Sequence, residues 1–326
     1  MTDLPPLPPA GADVVDAFAR AIYGRTPDGG HVADLVQSSR EDGVLGGVAD
    51  RLRHRALIAC PLGTLEVDTL THLPAGAGPE HSVPVIVALN FTGNDQTIDG
   101  DQAARWPYAK IVDAGYAVLT VDYRQFEPDD PAPAAPGVRA LFPAETGAGE
   151  FEPWGAVGAW AWGLSRCLDI AAGIPGVDPA GAIALGHSRL GKAALWAGAQ
   201  DERFAVTVSN DSGCAGASLF RHPGGEDIAA ITTTFPHWFV PSFSAYAGAE
   251  SRLPVDQHQL LAGIAPRRVY VLSAEDDHWA DPVGEHLAVV AASPAFEDGC
   301  IGYHVRAGGH DLLEEDWMRA LAFART

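Results

Sequence analysis

Lysine is almost missing from this chain. Of 21 basic residues only Lys110 and Lys192 are lysines, set against 42 acidic residues, so the formal charge is −21 and the pI is near 4.7. So acidic a protein is not expected to bind nucleic acid, because phosphate contacts need a basic face. An anionic membrane surface is not expected as a partner, on the same ground. Long apolar runs are also missing: no window approaches 18 uninterrupted apolar residues, and no membrane span is expected. Cysteine is scarce, with Cys60, Cys167, Cys214 and Cys300 far apart and no CxxC pair, which points to free thiols rather than a disulfide. His237, His258, His278 and His286 are scattered without HExxH or paired spacing, so no metal site is expected. Walker loops and dinucleotide fingerprints are absent as well. The start, TDLPPLPP, has neither a basic n-region nor an apolar h-region. It therefore does not read as a signal peptide, and the expectation is a cytoplasmic protein, or a secreted one if a leader precedes this chain.

What is present suffices for one large core: 326 residues, 47% hydrophobic, with 36 glycines and 25 prolines to shape many turns. Residues 1–11 read as a flexible Pro-rich lead and residues 12–326 as a single domain without internal repeats. Helical spacing runs from Asp13 to Tyr23. The β-rich runs His54–Cys60 and Leu65–His72, with Pro61 and Gly63 between them, read as a hairpin. Short apolar runs at Val85–Leu89, Ala117–Asp122, Ala182–Leu185, Phe204–Ser209, Arg267–Ser273 and Ile301–Val305 suit buried strands. Helices are expected at Gln102–Ala114, Trp154–Ala172, Leu190–Gln200, Val283–Ala292 and Glu314–Ala324. Residues 125–150 read as a long surface loop and 213–250 as irregular and aromatic. About eight strands with alternating helices imply an α/β fold, a mostly parallel central sheet with helices on both faces.

One motif carries chemistry. Gly186-His187-Ser188-Arg189-Leu190-Gly191-Lys192 sits where a strand ends and a helix begins. A small residue there lets strand and helix approach, and a serine at the turn is held at the helix N-terminus, where free N–H groups favour developing negative charge. The usual G-x-S-x-G is shifted, with Leu190 in the glycine place and Gly191 one later. A serine that merely caps the helix would occupy the same junction. The chain order settles toward catalysis: an acidic cluster, Glu275-Asp276-Asp277, follows one predicted strand, and Gly308-Gly309-His310-Asp311 follows the last. Serine, acid, histidine is the order of the α/β-hydrolase triad.

These residues resemble carbohydrate esterase family 15, the glucuronoyl esterases, in bacterial form. GHSRLGKAALWAGAQDERFA (186–205) is similar to their nucleophile region. So are NFTGN (90–94), RWP (105–107), WGAVGAWAWGLSR (154–166), NDSGCAGA (210–217), FPHWF (235–239), LPVDQH (253–258), IAPR (264–267), DHWADP (277–282) and GGHDL (308–312). The resemblance runs in register over roughly residues 15 to 320. It implies an α/β-hydrolase three-layer sandwich and a serine esterase without a cofactor. The substrate it implies is the ester between 4-O-methyl-glucuronate on xylan and an alcohol of lignin. By position, Ser188 is the nucleophile and His310 the base. Arg189, with an N–H near Phe91, serves the oxyanion. Lys192 holds sugar hydroxyls, and Trp279 packs on the sugar ring.

Two places depart from the family. The acid is a Glu after the next strand in many members, where this chain has Asp211; other members use the later place, where it has Asp277. Both stay candidates, with Asp277 favoured as the general α/β-hydrolase location. Fungal members also carry a substrate-contacting Glu just before the equivalent of Trp238, and this chain has Thr234-Phe235 there. Glu226 and Trp238 are further candidates for the substrate pocket, and Trp154, Trp160 and Trp162 are expected in the core. An acetyl-xylan or other short-chain esterase is the alternative activity. A catalytically decayed carbohydrate-binding protein is the alternative of another class. The expected partner is a small-molecule or oligosaccharide ester.

Overall fold

The structure is a computed structural model that describes residues 4–8, 13–143 and 152–325. Nine strands of these residues form one sheet in the order β1-β2-β3-β5-β4-β6-β7-β8-β9. They are β1 (His31–Gly43), β2 (Ala49–Cys60), β3 (Gly63–Pro74), β4 (Val83–Asn90), β5 (Ala117–Asp122), β6 (Val177–His187), β7 (Val206–Asn210), β8 (Arg268–Ala274) and β9 (Ile301–Arg306). The first three form an antiparallel meander, joined through β3 to β5; every pairing from β5 through β4 to β9 is parallel. The expected hairpin is β2–β3. The expectation of about eight strands missed β1, which is exposed along nearly its whole length and so carries no apolar pattern to read.

The central parallel strands β4, β5 and β7 are buried on both faces, as their continuous apolar runs require. One face is covered by α4 (Ala156–Ala172), α5 (Arg189–Gln200), α7 (Gln257–Ile264) and α8 (Pro282–Ala292), around Trp160 and Trp196. The other is covered by α3 (Tyr108–Asp113) and α9 (Glu314–Arg325), with Trp106 tilted against Trp317. α2 (Val44–Gly47) is one distorted turn between β1 and β2, α1 (Val14–Phe18) continues into a π-turn at Ala19–Tyr23, and α6 (Ile228–Thr234) is short. Trp154, Trp160 and Trp162 are buried as expected. All four cysteines are free; Cys167 and Cys214 are buried and the other two half-buried. No helix of the described residues is long and apolar enough to cross a membrane.

Several expectations are corrected. The helix expected over Gln102–Ala114 begins only at Tyr108, because Pro107 cannot continue the preceding 3-10 turn, Ala103–Arg105. The irregular segment 213–250 contains α6, capped by Asp227. The loop expected over 125–150 is exposed at residues 130–132 and 134–136, as expected, but is anchored inside at Phe126, Glu127, Val138 and Phe142; residues 144–150 lie outside the described residues. Residues 4–8 of the Pro-rich lead lie against α7, where His258 and Gln259 side chains bond the Pro5 and Pro6 carbonyls; the rest of the lead, 1–3 and 9–11, is outside the described residues.

Register brings the chemistry to one edge. His187 pairs with Asn210, Asn210 with Leu272, and Ala274 with Arg306. The carboxyl ends of β6, β7, β8 and β9 are therefore level, and the residues that follow each strand meet in the crevice where α/β sheets bind ligands.

Candidate active site

Ser188 terminates β6 with φ 57° and ψ −129° and stands at the N-terminus of α5. That backbone is strained for a residue with a Cβ, and it lifts the side chain off the strand. The turn closes because its neighbours are glycines. A Cβ on Gly186 would lie 2.0 Å from the Leu190 carbonyl oxygen, and one on Gly191 would lie 2.9 Å from Ser212 Cβ. The shifted glycine of the motif thus packs α5 against the loop after β7. The Ser188 N–H donates to the Asn210 carbonyl at 2.9 Å, which ties the elbow to β7.

A cavity of about 350 Å³ opens over this turn, lined by Ser188, Arg189, Lys192, Asp211, Glu226 and His310 among others. Trp238, Asp277 and Trp279 complete its wall. Of the residues expected in the site, only Phe91 lies outside this lining; it sits behind, edge-on to the His187 ring at 6.0 Å. His187 is buried, its Nδ1–H donating to Asn210 Oδ1 at 2.6 Å, and burial holds it well below the usual imidazole range. It is therefore neutral where it meets the His310 ring, 4.6 Å between centroids.

The two candidate acids separate clearly. Asp277 Oδ2 accepts from His310 Nδ1 at 2.5 Å. Burial opposes the Asp277 charge, but the His310 hydrogen bond and the Ala280 N–H outweigh it and hold this carboxyl below its ordinary value. Asp211 is bonded instead to Arg306 Nη2 and the Asp311 N–H, each at 3.3 Å, and its Oδ1 has no partner. Burial, and then the charge of Glu285, push Asp211 up to about 8. Asp211, Asp277 and His310 are the one group among the described residues close enough to share a cation, within 4.8 Å of one another. Arg306 already places a positive charge on that cluster, and the hydrogen bond from His310 occupies Asp277.

The cations of the site are clamped. Arg189 is ion-paired with Asp129 and lies over Trp238, 4.9 Å from its centroid, and Phe235, 5.4 Å. Asp129 also accepts from Tyr123, His237 and Trp238, and these bonds outweigh burial to hold its carboxyl well below the usual range. Trp238 was expected as an open platform. It is instead enclosed, since Phe235 stacks on it at 3.8 Å, Arg189 sits beside the stacked pair, and the ring is 3% exposed. Trp279, 60% exposed, is the open aromatic. Lys192 is buried and donates to the Ser212 and Cys214 carbonyls at 2.6 and 2.5 Å, which leaves one of three N–H groups free. Its Nζ is 3.9 Å from Glu226 Oε2. Burial pulls Lys192 down and pushes Glu226 up, and each charge offsets the other's shift.

Sequence reasoning missed Asp129, Glu285 and Arg306. Asp129 sits in an acidic, Pro-rich stretch where nothing distinguishes it from its neighbours. Glu285 is inside α8, fully buried, and accepts from the Ser212 and Gly213 N–H groups, both at 2.9 Å. Only the tertiary contact reveals either one. Gln257 lies outside the cavity, buried against Tyr23, to whose hydroxyl its side-chain amide donates at 3.4 Å.

Comparison with known proteins agrees with this geometry. A sequence family described as "Glucuronyl esterase, fungi" matches residues 141–298. A carbohydrate esterase from an unknown prokaryotic organism is 35% identical over 96% of this chain and 83% of its own length. A 4-O-methyl-glucuronoyl methylesterase of Podospora anserina is 30% identical over 70% of this chain, but that match spans 45% of the fungal protein. The solved glucuronoyl esterase from Solibacter usitatus superposes with a TM-score of 0.85 at 36% identity, covering 96% of this chain and 91% of that one. The chain belongs to the glucuronoyl esterases, carbohydrate esterase family 15, on the α/β-hydrolase fold.

Proposed function

We propose that the chain hydrolyses carboxylic esters of glucuronic acid by serine acyl transfer, with Ser188, His310 and Asp277 as its triad. One observation carries the reading. The cavity that holds the strained serine and the Asp277-bonded histidine also holds a buried lysine–glutamate pair and an exposed tryptophan.

In this reading His310 Nε2 takes the proton of Ser188 Oγ as Oγ attacks the ester carbonyl. Asp277 accepts from Nδ1–H, which keeps Nε2 free as the base and stabilises the imidazolium. The oxyanion meets the Arg189 N–H at the start of α5 and an N–H near Phe91. Each well-placed donor supplies about 3 kcal/mol. The Arg189 guanidinium, fixed by Asp129 and Trp238, adds positive field at the cavity wall. The alcohol leaves with the proton from His310, and water then cleaves the acyl-enzyme. The free N–H of Lys192 and the neighbouring Glu226 oxygen offer a donor and an acceptor to sugar hydroxyls, while Trp279 gives the ring a face to lie on.

The test compares benzyl glucuronate with p-nitrophenyl acetate for the native protein and Lys192→Met. A hydrogen bond from a charged group contributes about 1.5–3 kcal/mol, so KM for the glucuronate ester should rise at least about tenfold. Acetate cleavage, which uses the triad but no sugar contact, should change much less. Equal effects on both esters, or acetate cleavage alone, would overturn the uronate reading in favour of a short-chain esterase.

A further inference from the structure

Arg306 ends β9, four residues before His310, and its side chain is 1% exposed. All five N–H groups of its guanidinium are used. Nη1 donates to the Ala307 and Gly309 carbonyls at 3.2 and 3.1 Å. Nη2 donates to the Asp311 carbonyl at 2.5 Å and to Asp211 Oδ2 at 3.3 Å. Nε donates to Asp316 Oδ2 at 2.9 Å. One planar group therefore holds carbonyls on both sides of His310, the acid it does not use, and the first turn of α9.

This matters because two carboxylates lie within reach of one histidine. Oxygens of Asp211 and Asp277 and a His310 ring nitrogen are within 4.8 Å of one another, yet the hydrogen bond goes to Asp277 alone. Asp211 has φ 46° just past the end of β7, and among the described residues its one side-chain partner is Arg306. We propose that Arg306 is the positioning residue that selects the acid, because it fixes the His310 loop toward Asp277 and holds the Asp211 carboxyl group away from the imidazole. Lysine could not do this, since a single ammonium cannot span three carbonyls and two carboxylates. The inference rests on the triad reading above.

The experiment is a mutant cycle in benzyl glucuronate turnover per active serine, with active serines counted by fluorophosphonate labelling. Arg306→Met should lower kcat by about 10²-fold, the cost of displacing a catalytic group by an ångström, with KM within about threefold. Asp211→Asn should cost less than tenfold when Arg306 is present. In the Arg306→Met background the same change should cost tenfold or more, because the released Asp211 then shares His310. If Arg306→Met does not fold, Arg306→Lys keeps a cation for the two buried carboxylates and carries the same cycle, with a smaller gain in the Asp211 effect. An Asp211→Asn penalty equal in both backgrounds, or a fall only in the number of labelled serines, would overturn the proposal and leave the triad standing. Full native-background activity in Asp277→Asn would instead overturn the triad reading itself.

Discussion

Asp277→Asn is the change whose consequence follows most directly from the geometry. The native carboxylate accepts from His310 Nδ1 at 2.5 Å and is 4% exposed. An asparagine of the same shape can turn its NH₂ to that nitrogen, which forces the ring proton onto Nε2. The base would then face Ser188 already protonated. In serine proteases the corresponding change costs about 10⁴ in kcat. Here the histidine side chain is 42% exposed, so water can partly stand in at Nδ1 and return some of the productive tautomer. We therefore expect a loss of about 10³ in kcat, about 4 kcal/mol of transition-state stabilisation. KM for benzyl glucuronate should move little, since the Asp277 side chain is buried and its Oδ2 is engaged by His310. The assay is steady-state hydrolysis at fixed pH, with circular dichroism to confirm the fold and Asp211→Asn measured beside it. A loss under tenfold for Asp277→Asn, or a larger loss for Asp211→Asn, would refute the argument.

Trp279 is 60% exposed, so Trp279→Ala should leave stability unchanged within about 0.5 kcal/mol. It should nevertheless raise KM for glucuronate esters about fivefold, the equivalent of about 1 kcal/mol of ring packing; an unchanged KM would remove it from the sugar site. Asp211 makes stability depend on pH with a definite sign. Its folded pKa is raised to about 8, so the native state holds its proton where the unfolded chain has released it, and native stability falls as pH rises from about 4 to 8. Urea unfolding at pH 5 and pH 8 should therefore show Asp211→Asn gaining on the native protein at the higher pH, and a constant difference would mean that the carboxyl is not raised.

The parts of this architecture that the sequence discloses are those with a local cause. Parallel strands such as β4 and β5 are short apolar runs because both faces are covered, and α4 is an apolar run buried along nearly its whole length. The elbow was legible because a sharp strand–helix turn demands glycine on either side of Ser188, and the order of Ser188, Asp277 and His310 follows from strand order. β1 was invisible because only Val32 and Leu35 of it pack against the core and the rest is exposed. The preference for Asp277 over Asp211 was an argument by location; the physical reason lies in Arg306, 95 residues from Asp211, which no spacing rule connects. Trp238 shows the opposite failure. A tryptophan beside the cleft looked like a sugar platform, but Phe235 stacks on it and Arg189 closes its side. Which aromatic is open is decided by what packs on it.

The most direct test of the account is hydrolysis of benzyl glucuronate by the native protein and by Ser188→Ala. The account predicts turnover by the native protein and a loss on the order of 10⁶ in kcat for the variant, as for other serine hydrolases. Turnover that survives in Ser188→Ala would show that the strained serine above α5 is not the nucleophile, and the mechanism built on it would fall.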